Sequence, residues 1–505
     1  MRTRHRSRTA AVVAAVVLGA ACEDPFVFNR TGPPSVATVT VSPGAAQLVA
    51  GDVLPLVVAL RDSAGNTLAG RPVAWTSRAP AVVGVDSAGV ATALAPGTAV
   101  VVATAEGKAD SATLTVIPLA VTGVATGALH TCAVANTGAV HCWGSGLYGQ
   151  LGAGFVTFTE PLPVPTAGLA PSRAVGAGGD HACDLSRDST AACWGRNEDG
   201  QLGRGASPGD PTRPTPVVGG LRFVAIAGGD RHTCALTGDS LAYCWGGNVE
   251  GQLGDSQAPS RATPGAVAGG HRFGRLSTGW LHSCAIAGDG TAWCWGADHR
   301  GQLGDSAAGA HRRYPARVRG ATGFTAIAAG GEHACGLLGP EIVCWGDNTR
   351  GQLGTGAADS FAVTPVAVAA GAAAIAVTAG GRHSCALAAD STAFCWGAND
   401  RGQVGDGSTL DRPTPVPVAG GARFVQLAAG GEHTCGTTPD GVVRCWGAGT
   451  SGQLGDGTTV DSPLPVTVGM PTGHAPPRAT DTTPRRRASR TLRASRRRGG
   501  TPPVR

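Results

Sequence analysis

Cysteine and histidine offer this 505-residue chain its most versatile chemistry, and their spacing limits how it can be used. Fourteen of fifteen cysteines fall in seven pairs: Cys132 with Cys142, Cys183 with Cys193, Cys234 with Cys244, Cys284 with Cys294, Cys335 with Cys344, Cys385 with Cys395, and Cys435 with Cys445. Two residues before each pair stands a histidine: His130, His181, His232, His282, His333, His383 and His433. His-x-Cys plus a second cysteine offers three atoms that zinc accepts, and His141 adds a fourth beside Cys142. The repeated histidines also invite a catalytic reading. Paired cysteines in an exported chain are read as disulfides first.

Regularity argues against the first two uses. An enzyme needs one asymmetric constellation, whereas a residue present in every unit is expected to bond one unit to the next. The carboxylates Asp180, Asp230, Glu332 and Glu432, beside Arg231 and Arg382, fall near one ring of loops and are the candidates for a catalytic pair. No nucleophile elbow, phosphate loop or HExxH pattern occurs. The expectation is a non-enzyme with no metal and no cofactor.

Disulfides follow from hairpin geometry. Six pairs are ten residues apart, and Cys335 and Cys344 are nine apart. The turn Asn136-Thr137-Gly138 lies midway between Cys132 and Cys142, with Gly able to take positive φ. Strands folding back from it place the two cysteines opposite, at ~4.5 Å between Cα atoms, within bridging range. Each staple is worth roughly 2–3 kcal/mol on the chain-entropy model.

The compartment is read from the N-terminus. Residues 1–22 carry four arginines, an apolar run from Ala10 to Ala21, and Cys22. The run is too short to span a bilayer, so it reads as a secretory signal. A cysteine at the cleavage point resembles a bacterial lipoprotein signal, with Cys22 lipidated. Leu18, however, lies four residues before it rather than three. Several acyl chains on one residue would anchor the protein stably to a membrane. Residues 23–34 then read as a linker.

Residues 35–118 hold short alternating runs, 36–41, 54–60, 71–77, 89–94 and 98–105, separated by turns such as Asp86-Ser87-Ala88-Gly89. This pattern suggests a β-sandwich. Through VAWTS, VVGVDSAGVATALAPGTAVVVATAEGK and ATLTV the stretch resembles bacterial Ig-like group 2 domains, which implies a spacer or adhesion module. It has no cysteine, so Trp75 must pack its core without a disulfide.

Residues 119–469 repeat with a step of 50–51 residues. That period signals a repeat architecture, and four strand-like runs per unit mean one propeller blade each. Every unit carries a Trp-Gly pair and Gly-Gln-Leu-Gly, first at Gly149-Gln150-Leu151-Gly152, with Val404 replacing Leu in the sixth. These motifs resemble the repeat of the regulator of chromosome condensation, which implies a seven-bladed propeller. The expected fold class is all-β: a propeller preceded by an Ig-like sandwich. The first unit lacks the Pro-x-x-Val strand that ends the chain's last unit. Residues 463–468 are therefore expected to pair beside 119–126 and complete one blade from both ends.

Charge bounds the partners. The chain carries +6, but the leader and the Arg/Pro-rich stretch 470–505 hold more than all of it, leaving the middle at about −7. A mildly acidic ring does not attract nucleic acid, and only the arginine-rich end could do so. That end is expected to be disordered. The resemblance implies nucleotide exchange on a small nuclear GTPase, which an export leader contradicts. The reading that remains is an extracytoplasmic scaffold at the cell envelope, lipid-anchored through Cys22 and binding a protein or a cell-surface glycan. A secreted inhibitor resembling propeller β-lactamase inhibitors is the alternative; a polysaccharide-acting enzyme ranks third. Phe155, Phe158, Trp280 and Tyr314 are the loop aromatics expected to serve binding.

Overall fold

The computed structural model describes residues 34–470, except 50–51, 118–119, 207–208, 258, 358 and 370–372. The leader with Cys22, nearly all of the linker and the arginine-rich end lie outside the described residues. All regular elements described are strands.

Short β-branched runs build the first unit. Ala45–Val49, Lys108–Ile117, Gly97–Ala105 and Ala74–Ser77 form one sheet in that order, and Val53–Pro55, Val90–Ala93 and Val83–Val85 form a second. Thr38–Ser42 pairs with Val57–Arg61. Alternate residues such as Val101, Ala103, Ala112 and Leu114 fill the core, with Trp75 packed against it. The Asp86 turn explains that tryptophan. Gly89 has φ +82°, and a Cβ there would lie 2.7 Å from the indole. Only glycine lets the turn close over the ring.

Seven four-stranded antiparallel sheets follow, each made from consecutive strands. The first, blade 1, runs Val121–Thr126, His130–Ala135, Val140–Gly146 and Thr157–Pro165 from the channel outward. The ends of the seven first strands line one central cavity, so the sheets form a ring.

The expected joint blade is wrong. Ser462–Thr467 pairs with Val443–Gly447 as the outermost strand of blade 7, with Cys445 opposite Val466. Val121–Thr126 is the innermost strand of blade 1. The Pro-x-x-Val strand is the fourth of its own blade, not the first of the next. The Gly-Gln-Leu-Gly loop therefore lies between the third and fourth strands.

That loop joins the blades. The carbonyl of its glutamine accepts the indole N–H of the next blade's tryptophan at 2.9–3.0 Å at all seven interfaces, from Gln150 with Trp194 round to Gln453 with Trp143. Its last glycine abuts the same indole: a Cβ on Gly455, at φ +71°, would lie 2.6 Å from Trp143 Nε1. Each blade's disulfide packs against the next blade's tryptophan, as Cys132 and Cys142 do with Trp194. Blade 7 meets blade 1 in the same way, through Cys435, Cys445 and Trp143. The ring thus closes by side-chain packing, with Gln426 adding hydrogen bonds to the backbone of Val124.

Candidate functional site

The cysteines are joined within each hairpin. Cys132 is bonded to Cys142, Cys183 to Cys193, Cys234 to Cys244 and Cys284 to Cys294, each pair with its Cα atoms 4.0–4.1 Å apart. Cys335 is bonded to Cys344, Cys385 to Cys395 and Cys435 to Cys445, over the same 4.0–4.1 Å. The register explains why every expected pair forms. Cys132 lies directly opposite Cys142, and Cys193, Cys244, Cys294 and Cys395 each face their partner in the same way. In blade 5 Leu338 pairs with Glu341, so the shorter turn keeps Cys335 opposite Cys344. With the sulfurs bonded to each other, the histidines have no thiolate partner for zinc.

The seven histidines are fully buried. In five blades Nε2 lies 2.8–2.9 Å from a Ser or Thr hydroxyl of the next blade: His181 to Thr233, His232 to Ser283, His333 to Ser384, His383 to Thr434 and His433 to Thr131. Each hydroxyl donates its own proton to the glutamine carbonyl described above. The imidazole Nε2–H must therefore be the donor, which fixes a neutral tautomer. Burial agrees, pushing these imidazoles down to about 3 or 4. The glycine three residues earlier makes room: a Cβ there would lie 2.2–2.6 Å from the ring's Cε1. These histidines hold blades together. Sequence reasoning missed their partner, although Thr131, Thr233, Ser283, Ser384 and Thr434 already stood one residue after five of the seven histidines.

The chemistry available to a ligand lies on the face formed by the inner turns and the Gly-Gln-Leu-Gly loops. In the blade 1 loop and the start of its fourth strand, Leu147, Tyr148, Phe155, Val156 and Phe158 are all exposed, Phe158 by 82%. In the corresponding loops and strand starts of blades 3, 5, 6 and 7, Val249, Phe361, Leu410 and Val460 stand exposed singly. The residue before Gly-Gln-Leu-Gly divides the face by charge: Tyr148 in blade 1, Asp199 and Glu250 in blades 2 and 3, Arg300, Arg350 and Arg401 in blades 4 to 6, and Ser451 in blade 7. Arg401 reaches Asp461 of the next blade at 3.2 Å, and Arg196 pairs with Asp180 within blade 2 at 3.4 Å. Arg196 also lies over Tyr148, 5.1 Å from the ring centre.

At the centre a cavity of about 70 Å³ is walled by glycine and alanine, with Asp230 and Trp280 at its mouth. Asp230 is the single ionisable residue among those lining it. Asp180 lies one blade away, and Glu332 and Glu432 are not in the lining, so the cavity wall holds no pair of carboxylates. The four expected aromatics do not form one cluster. Phe155 and Phe158 belong to blade 1, Trp280 covers the mouth from blade 4, and Tyr314 lies on the peripheral strand Arg312–Arg317. Leu147, Tyr148 and Val156 were missed; their signal was several apolar residues falling together in one loop, where Val249, Leu410 and Val460 stand singly in others.

Comparisons with known proteins agree with this architecture. The bacterial Ig-like domain (group 2) matches residues 35–116. The regulator of chromosome condensation (RCC1) repeat matches residues 121–150, and the RCC1-like domain matches residues 172–480. Human probable E3 ubiquitin-protein ligase HERC6 is 36% identical over 148 residues, 28% of this chain and 14% of that protein. The ultraviolet-B receptor UVR8 of Arabidopsis thaliana is 34% identical over 149 residues, 28% of this chain and 33% of the receptor. The match thus spans a third or less of these relatives' length. Among solved structures, Prp20p from Saccharomyces cerevisiae is 24% identical with a TM-score of 0.59, covering 65% of this chain and 85% of that one. Human WBSCR16 is 22% identical with a TM-score of 0.58, covering 66% and 90%. The RCC1-like match takes in more than half of the residues, and the chain belongs to the RCC1-like domain family.

Proposed function

We propose that the protein is an exported scaffold, anchored at the cell envelope through Cys22, whose propeller engages a protein partner with its loop face. The observation that carries this reading is the blade 1 sector, where five apolar side chains stand exposed close together in sequence. Contiguous exposed apolar surface marks interaction sites, and aromatic anchors dominate their energetics. A solved yeast neighbour, RCC1 (Prp20p), is known bound to Kap60 and for its binding properties to Gsp1p and histones. Seven disulfides in one ring favour a compartment outside the cytoplasm. The Ig-like unit then serves as the spacer. Inhibition of a secreted enzyme is one form such engagement takes, and the same sector would carry it.

The test is capture from cell-surface extracts with the intact protein as bait. The variant F155S/V156S/F158S alters only exposed positions, and I375S, at the far end of a first strand from the mouth, is the control. The reading expects a protein captured by the parent and by I375S and lost by the triple variant. Capture unchanged in the triple variant, or competed away by free glycan, would contradict it.

A further inference from the structure

Seven equivalent residues ring the channel mouth: Ala128, Gly179, Asp230, Trp280, Gly331, Gly381 and Gly431. Five are glycine or alanine for a steric reason. A Cβ on Gly331 would lie 2.3 Å from the carbonyl oxygen of Gly381, and one on Gly381 would lie 2.4 Å from that of Gly431. Packing the ring therefore asks for small residues here. Blades 3 and 4 break the rule, side by side, with a carboxylate and an indole.

The two lean in opposite directions. Trp280 packs on the glycines of blades 5 and 6: would-be Cβ atoms on Gly331 and Gly381 come within 3.1 and 3.0 Å of its six-membered ring. These contacts lie on backbone, and with 38% of the residue exposed part of the indole is open to solvent. Asp230 leans towards blade 2, its Oδ1 against Gly179. Burial raises the Asp230 carboxyl above its usual range, and the charge of Asp180 adds to this. Arg231 opposes these effects loosely, 3.6 Å from Asp230 and 3.7 Å from Asp199, beyond the range of a strong charged hydrogen bond. The residues following the mouth positions add Asp180, Arg231, Glu332, Arg382 and Glu432. With Asp230 these make four carboxylates; Arg196 and Arg401 pair with Asp180 and Glu432 from the outer loops, which leaves Asp230 with only the loose contact to Arg231.

An exposed indole ring attracts a cation, and a partly desolvated carboxylate gains from one. We infer that the mouth seats a cationic side chain, arginine or lysine, presented by a protein partner, over the exposed part of the Trp280 indole and against the carboxylate of Asp230. This rests on the scaffold reading and names the group its partner must present. A neutral sugar would also stack on the indole, but it would bring no charge to the Asp230 carboxylate.

The probe is the peptide acetyl-Gly-Arg-Gly-amide, titrated into the full chain while the Trp280 indole N–H is followed by ¹⁵N NMR. The citrulline peptide keeps the shape and removes the charge. The expected result is a saturable shift with a dissociation constant on the order of 1–10 mM. The citrulline peptide should bind at least about fivefold more weakly. The near-isosteric D230N should weaken the arginine peptide by a similar factor, and W280A, followed through the backbone amides of Asp230 and Gly331, should show no saturable shift with the ring still folded by circular dichroism. Equal binding of the two peptides, no shift at all, an unaffected D230N, or a shift with N-acetylglucosamine in place of the arginine peptide would overturn the inference. Because the readout is the mouth itself, such a failure is separate from loss of partner capture by the blade 1 sector.

Discussion

Two alanines show how the blades are coupled. Ala182 and Ala334 stand where the other blades have Ser or Thr, and the Nε2 atoms of His130 and His282 facing them have no hydrogen-bond partner. The carbonyls of Gln150 and Gln302 correspondingly take only the indole N–H. A hydroxyl fits this position in five blades, so A182T and A334S should each restore both bonds and stabilise the ring by about 1 kcal/mol. Denaturant midpoints would show the gain; a loss would mean these interfaces pack differently. Asp184 makes the opposite case. It is 1% exposed in a position that is Ala or Gly in the other blades, and burial raises its carboxyl to about 6. The folded chain holds its proton where the unfolded chain has released it. Stability is therefore lost as pH rises from 3.8 through about 6 and stays lost above. D184N should stabilise the protein at pH 7.5, by about 3 kcal/mol at most, and the gain should vanish near pH 3. A gain independent of pH would contradict this account.

At the level of the element, hairpins were legible and their neighbours were not. Period-two alternation, a glycine-bearing turn and opposed cysteines define the second and third strands of a blade locally. The fourth strand depends on which hairpin it joins across a loop of a dozen residues. Nothing local distinguishes the preceding blade from the following one, and the expected joint blade failed there. The mouth was half legible: Trp280 was among the expected loop aromatics, but its packing at the mouth is set by the glycines of blades 5 and 6. The same dependence makes the loop glycines essential. Gly455→Ala would force a Cβ against Trp143 at positive φ and should cost about 2 kcal/mol or more. Gly457→Ala, where the nearest contact is Leu162 at 3.6 Å, should cost less. Equal melting temperatures for the two variants would refute the role given to the loop.

On the scale of the whole molecule, seven similar interfaces act together. The seven buried histidines stay neutral in the fold down to about pH 3 or 4 but titrate near 6.5 when unfolded. The unfolded chain binds the extra protons, so stability is full above pH 6.5 and falls as pH drops towards 4. Each histidine contributes up to about 1.4 kcal/mol per pH unit, more together than the opposite effects of Asp184 and Asp298. Urea midpoints should hold steady at pH 7–8 and fall steeply below pH 6; a flat profile would mean the imidazoles are not buried neutral. The account as a whole rests on a ring of internally stapled blades working outside the reducing cytoplasm. The most direct measurement is a thiol count and disulfide map on protein isolated, without reductant, from the cells that make it. The account expects the seven pairs from Cys132–Cys142 to Cys435–Cys445, each within one hairpin. Free thiols among those fourteen cysteines, or a bridge between blades, would contradict both the architecture and the compartment.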